Sequence, residues 1–153
     1  MTIARSIPVL FAALALVGCS GDDGTLTQAE YEEKVRSVYA EVQEAFAQTN
    51  VSDPSELAPR VEAAQEQLRD AAGELEGVEP PSDAEAANTQ IAAGFRLYAD
   101  ELDRLRNAAV RGDQRTIDDF NARIGERESV LQIAEAAESL KFSGYDLGPI
   151  AEE

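Results

Sequence analysis

Apolar residues are distributed along this chain in two ways. From Ile7 to Val17 they form an unbroken run, and from residue 27 onward they recur every three or four positions. The second pattern is that of amphipathic helices with one buried face. Tyr31, Val35, Val38, Tyr39, Val42 and Phe46 mark a first helix, and Thr27 with Glu30 forms a capping box at its start. Gln48 to Ser52 is a break. Leu57, Val61, Ala64, Leu68 and Leu75 mark a second helix from Asp53 or Ser55 to Glu76, with Pro59 predicting a kinked first turn or a short turn ahead of it. Gly77 and Pro80-Pro81 end it.

A third stripe, Ala84, Ala87, Ile91, Phe95, Tyr98, Leu102, Leu105 and Ala109, follows a second apparent capping box, Ser82 with Glu85, and closes at Gly112. The fourth is capped by Asp113 and carries Ile117, Phe120, Ile124 and Leu131. It then drifts towards Val130, Ile133, Ala137 and Leu140, which predicts a bend near Glu128 to Ser129 or a change of partner. Gly94 and Gly125 fall inside the third and fourth stretches, where glycine costs about 1 kcal/mol against alanine. Close approach of another helix would account for either. No stretch alternates apolar and polar residues for long enough to make a strand. The breaks are short, so successive helices should run antiparallel. The expectation is an all-α fold: an antiparallel up-down four-helix bundle over residues 27–153. A tail bearing Phe142, Tyr145, Leu147 and Ile150 should pack back across it.

The unbroken run is of a different kind. Eleven residues cannot cross about 30 Å of hydrocarbon, which takes about 20 in a helix. With Arg5 before it, the run suits the apolar region of a secretory signal. Leu16-Val17-Gly18-Cys19 follows, then a polar stretch from Ser20 to Thr25. This resembles the lipobox of bacterial lipoproteins. The resemblance implies cleavage between Gly18 and Cys19, diacylglycerylation of the Cys19 thiol, with palmitate among the acyl chains of the anchor, and a place on the extracytoplasmic face of the cell membrane. Residues 1–18 would be the signal peptide, 19–26 the lipidated cysteine and a flexible tether, and 27–153 the bundle. Two or three acyl chains, at about 0.8 kcal/mol per buried CH₂, would hold such a protein firmly.

The remainder resembles small helical lipoproteins of unassigned function from high-GC Gram-positive bacteria. The resemblance rests on the opening Leu26 to Val35 (LTQAEYEEKV), the Gly112-Asp113 start of the last long helix, and the terminal GYDLG with Tyr145 and Leu147. Those proteins often pair a cysteine in the first helix with one near the C-terminus. Here Tyr39 stands in the matching region and the tail has no cysteine. No catalytic residues come with the resemblance.

Composition narrows the chemistry further. There is no histidine and one cysteine, so a Ser-His-Asp triad, a histidine-ligated metal, a four-thiolate zinc site and an internal disulfide are all excluded. The 30 acidic against 13 basic residues give a net charge of −17, unsuited to nucleic acid. Loss of residues 1–18 would remove one base, Arg5, and no acid. A chain so charged is repelled by an anionic bilayer, so the folded part should stand off the membrane and be held by its lipid. Asp100, Glu101 and Asp103, and Asp118 with Asp119, read as solvated faces, with Asp100–Arg104, Asp103–Arg106 and Asp119–Arg123 pairing along the helix. Glu30–Lys34 and Glu32–Arg36 are expected to pair in the same way. Arg104, Arg106, Arg111 and Arg115 form the only basic concentration. Lys141 between Ser139 and Ser143 lacks the surroundings of a serine–lysine catalytic dyad.

No enzyme activity, cofactor or metal is therefore expected. The expected function is non-catalytic interaction with an envelope protein or polymer, by a protein held to the membrane through the lipid on Cys19. The alternative is a carrier or sensor that binds a small ligand or lipid between its helices. Tyr31, Tyr39 and Tyr98 could then line the cavity. A closed core favours contact, an exposed apolar patch points to a protein partner, and an apolar cavity above about 300 Å³ favours a ligand.

Overall fold

The Thr27 hydroxyl accepts the backbone N–H of Glu30, and the Glu30 carboxylate accepts that of Thr27, so the expected capping box opens helix α1, Gln28–Ala47. In the computed structural model, residues 24–51 and 53–148 are described. The signal segment, Gly18, Cys19 and Ile150 lie outside them. Among the described residues, four more helices follow, and the class is all-α: α2 Pro54–Glu76, α3 Glu85–Arg111, α4 Gln114–Ala122 and α5 Glu128–Phe142. None is long and apolar enough to cross a membrane.

Helix α2 is capped by Asp53, whose carboxylate accepts the Ser55 N–H, and it runs unbroken through Pro59. Pro59 is the sixth helical residue, and its missing N–H forfeits one bond, that to the Ser55 carbonyl. Helix α3 departs from expectation at its start. Ser82 and Glu85 do not form a capping box: residues 82–84 make a turn, and Ala84, without a side-chain cap, precedes the first helical residue. The Ala84 N–H bonds back to the Pro81 carbonyl, which takes the turn one step past Ser82. Gly112 ends α3 with φ 64°, a left-handed conformation that glycine adopts freely. Asp113 then caps α4 through the Thr116 N–H.

The single fourth helix of the sequence pattern is two helices. Its stripe does change course, but the break comes earlier than Glu128. Arg123 leaves helical geometry, Ile124–Glu126 form one 3₁₀ turn, and the extended Arg127 starts α5.

Side-chain ladders fix how the helices pair. Lys34 of α1 meets Glu74 of α2, Glu41 meets Gln67, and Gln48 at the end of α1 meets Arg60. Between α2 and α3 the pairs are Glu76–Arg96, Arg69–Asp100 and Gln65–Asp103. Between α3 and α5 they are Gln90–Gln132 and Glu101–Ser129. In each case one number rises as the other falls, so each pair is antiparallel. Helix α3 is central, packed on α2, α5 and α4, while α1 rests mainly on α2.

Two helical pairs expected from spacing are replaced by partners across the bundle. Lys34 bonds Glu74 because Glu30 is held in the cap, and Asp100 faces Arg69 while Arg104 reaches Asp119. Glu32–Arg36, Asp103–Arg106 and Asp119–Arg123 do pair locally.

The tail folds back on α1. The Tyr31 and Tyr145 rings meet edge to face with centroids 5.8 Å apart, and both residues are buried with Leu147. The Tyr145 hydroxyl donates to Asp83 at 2.7 Å, and Gln28 donates to the Gly144 carbonyl. At the same end of α1, Leu26 N–H donates to the Glu79 carbonyl at 2.8 Å. The chain's entry, the α2–α3 turn and the tail thus gather at one pole.

Gly94 marks a close approach of α3 to α5. A Cβ there would lie 2.5 Å from Ile133 Cγ1 and 3.3 Å from the Ser129 carbonyl oxygen. Gly125 meets nothing within 4 Å and sits in the 3₁₀ turn, so close approach explains the first glycine and not the second.

Candidate functional site

At the other pole the helices separate. The C-terminal half of α1 and the N-terminal half of α5 do not pack closely on each other, and an open groove of about 980 Å³ lies between them. Its α1 wall carries Tyr39, Val42 and Phe46, and its α5 wall carries Val130, Leu131, Ile133 and Ala134. Phe95 and Tyr98 of α3 form the floor, and Ile124 and Gly125 of the 3₁₀ turn close one end. The Phe46 and Tyr98 rings stack at 5.1 Å with planes 8° apart. The wall residues lie on the helical stripes that also make the core. Val42 is buried among them and Phe46, Val130 and Ile133 are half-buried, while Leu131 and Ile124 are left uncovered.

Leu131 and Ile124 are 56% and 41% exposed at the rim. Isolated exposed leucines are common, but apolar residues gathered around an apolar groove mark surfaces that bind. Among the described residues, Glu44 is the only charged side chain in the lining.

A polar cluster sits beside the floor. The Arg127 guanidinium carbon lies 3.5 Å from the Phe120 ring centroid, and Nη1 is 3.8 Å from Glu101 Oε2. The Ser129 hydroxyl donates to that same oxygen at 2.8 Å. Arg127 Nε is buried with no hydrogen-bond partner among the described residues. Burial pushes the Tyr98 phenol up to about 12, with Arg127 opposing the shift and Glu101 adding to it. At neutral pH the phenol is protonated and is no base. The arginine is stacked and enclosed, an arrangement that fixes the start of α5 against α3 and α4.

The three tyrosines considered for a cavity divide accordingly. Tyr39 and Tyr98 line the groove. Tyr31 is fully buried in the core, its hydroxyl donating to Asn88 Oδ1 at 3.2 Å while Asn88 donates to the Leu75 carbonyl. The acidic residues do not converge on a shared site: Asp100 pairs with Arg69, Asp103 with Gln65 and Arg106, Asp118 with Gln114, and Asp119 with Arg104 and Arg123. The Ser143 hydroxyl donates to the Ser139 carbonyl, so the two serines flanking Lys141 bond to each other. Sequence reasoning missed Leu131 as an exposed residue and Phe46, Val130 and Ile133 as half-buried groove residues, because their spacing is that of core positions. The drifting stripe after Phe120 was the one sign that this end of the bundle is irregular.

No protein-family model matches the chain, and comparison with curated proteins and with solved structures returns no match.

Proposed function

We propose that this chain is a lipid-anchored extracytoplasmic protein that works without catalysis, by contact with another envelope protein or polymer. The groove between α1 and α5 is its contact surface. One observation carries the reading: an open apolar groove with Leu131 and Ile124 exposed at its rim. Water against those side chains is displaced favourably by any apolar partner of the right shape, at about 25 cal/mol per Å². The anchor rests on the lipobox Leu16-Val17-Gly18-Cys19.

A photo-crosslinking residue at position 131 in intact cells tests the contact. The expected result is an adduct with a protein or polymer that is lost when Ala40, on the opposite wall, becomes Trp. Adducts with lipid alone would refute contact and support the second reading, a small-ligand or lipid carrier. That reading draws on the groove's volume, which reaches the upper end of the about 300–1,000 Å³ typical of ligand sites. The anchor has its own test. Cys19→Ala should release the protein from the membrane or stall it unprocessed, and unchanged processing and fractionation would remove the lipid from the account.

A further inference from the structure

Resting on that contact function, we propose that the groove receives an amphipathic α-helix with basic flanks, presented by a protein partner. Three features of the molecule argue for this occupant.

The first is shape. On the α1 side the lining runs from Tyr39 to Ala47. At 1.5 Å per residue that is about 12 Å, or two helical turns. An incoming helix presents its apolar residues at i, i+3 or i+4, and i+7, over the same length. Helices pack with axes about 8–10 Å apart, and a helix laid over Phe95 and Tyr98 would have one wall on each side. It would supply the packing that α1 and α5 do not give each other.

The second is charge. Segments 39–47 and 124–134, which form the two walls and the closed end, carry Glu41, Glu44, Glu126 and Glu128, all exposed, and the exposed Glu135 and Glu138 follow on the next turn of α5. Glu41 accepts from Gln67 on the α2 side, and the others leave an acidic border on both walls and at the closed end. The single cation of these segments, Arg127, is folded inward over Phe120. An anionic amphiphile would bring its head group against carboxylates. Lysines or arginines flanking an apolar stripe would meet opposite charge, which speeds association and selects the partner.

The third is position. Helix α1 begins where Leu26 is bonded to Glu79, beside the point at which the N-terminal segment enters. The groove begins eleven residues beyond Gln28 and ends at Ala47, about 17–28 Å along the helix. A chain moored through Cys19 therefore carries its groove at the pole remote from the mooring. A protein can reach that pole without entering the bilayer.

The test uses the full chain in nanodiscs of neutral phosphatidylcholine and two synthetic helical peptides. One has leucine at i, i+3, i+4 and i+7 with lysine elsewhere, and the other replaces every lysine with glutamate. Each carries a benzophenone, and crosslinked sites are mapped by mass spectrometry, so peptide merely bound to lipid gives no signal. The leucine–lysine peptide should label residues of segments 39–47 and 124–134, at least tenfold more than the leucine–glutamate peptide. Leu131→Glu adds negative charge yet should lower that labelling at least tenfold, because it removes apolar surface. Ala40→Trp obstructs the groove from its α1 wall without changing charge and should do the same. Circular dichroism confirms that each variant remains folded.

Labelling scattered over other acidic faces, or undiminished by Leu131→Glu, would overturn the proposal as generic charge attraction. Displacement of the peptide by a neutral single-chain amphiphile at comparable concentration would overturn it in favour of a lipid. If the peptides fail while position 131 still captures a protein in cells, the contact function stands and the basic helix falls.

Discussion

Gly94→Ala should destabilise the protein, although alanine is the better helix former. In an open helix the change would gain about 1 kcal/mol. Here the new Cβ would lie 2.5 Å from Ile133 Cγ1 and 3.2 Å from Cδ1. The first of these atoms is next to the Ile133 stem and cannot swing aside alone. The Ser129 carbonyl, 3.3 Å away, is backbone, so α5 itself has to move. Overpacking of this kind typically costs 1–3 kcal/mol, so the net expected loss is about 1 kcal/mol. That is a fall of about 3–4 °C in Tm for a domain of this size. In an Ile133→Ala background the obstructing atoms are gone, and Gly94→Ala should then stabilise by about 0.5 kcal/mol. Urea unfolding followed by far-ultraviolet circular dichroism on the unchanged protein, the two single variants and the double variant closes the cycle. The reasoning is wrong if Gly94→Ala is neutral or stabilising with Ile133 in place, or if the two changes are additive within about 0.5 kcal/mol.

Tyr31→Phe should cost about 1–3 kcal/mol by urea titration, because it leaves Asn88 Oδ1 buried without its donor; a neutral result would mean that the bond contributes nothing. High pH should weaken the fold. Burial raises the phenols of Tyr31, Tyr98 and Tyr145 above the ordinary value of 10, the last two to about 12. Their contribution is whole below pH 10 and is lost as pH climbs through the folded-state values, so the urea midpoint should drop between pH 10 and pH 12. At the acid end, hydrogen bonds from Thr27, Ser55 and Thr116 hold the capping carboxylates of Glu30, Asp53 and Asp113 below the usual range. Their contribution is present above the ordinary carboxylate pKa and disappears as pH falls through the lowered values. Thr27→Ala should remove part of that acid dependence, together with about 0.5–2 kcal/mol at neutral pH.

The groove and the interrupted fourth helix have a common origin. Had α4 and α5 been one rod, residues 124–134 would have continued the line of α4. The 3₁₀ turn at Ile124–Glu126 and the extended Arg127 redirect the chain, and the arginine is then stacked on Phe120 and bonded towards Glu101. Helix α5 consequently starts against α3, and its close approach at Gly94 fixes its height there. The wall opposite, α1, leans on α2 instead. The space between the walls is what these two allegiances leave.

Helix identity in this protein is a local matter and was legible in the residues. Period, caps and stop signals act within a few positions, so Thr27–Glu30, Asp53, Gly112 and Asp113 each announced an end that the fold uses. The helical class follows from the same short-range preferences. Local signals misled where a distant group competed for the same atoms. Asp83 is taken by the Tyr145 hydroxyl beside the turn that displaces the Ser82 cap, Lys34 prefers Glu74, and Asp100 prefers Arg69. The groove belongs wholly to tertiary structure. Phe46, Val130, Leu131 and Ile133 carry the same apolar signature as the residues of the closed core. Whether such a stripe is covered depends on which helix lies opposite, and that is decided by packing between segments some ninety residues apart.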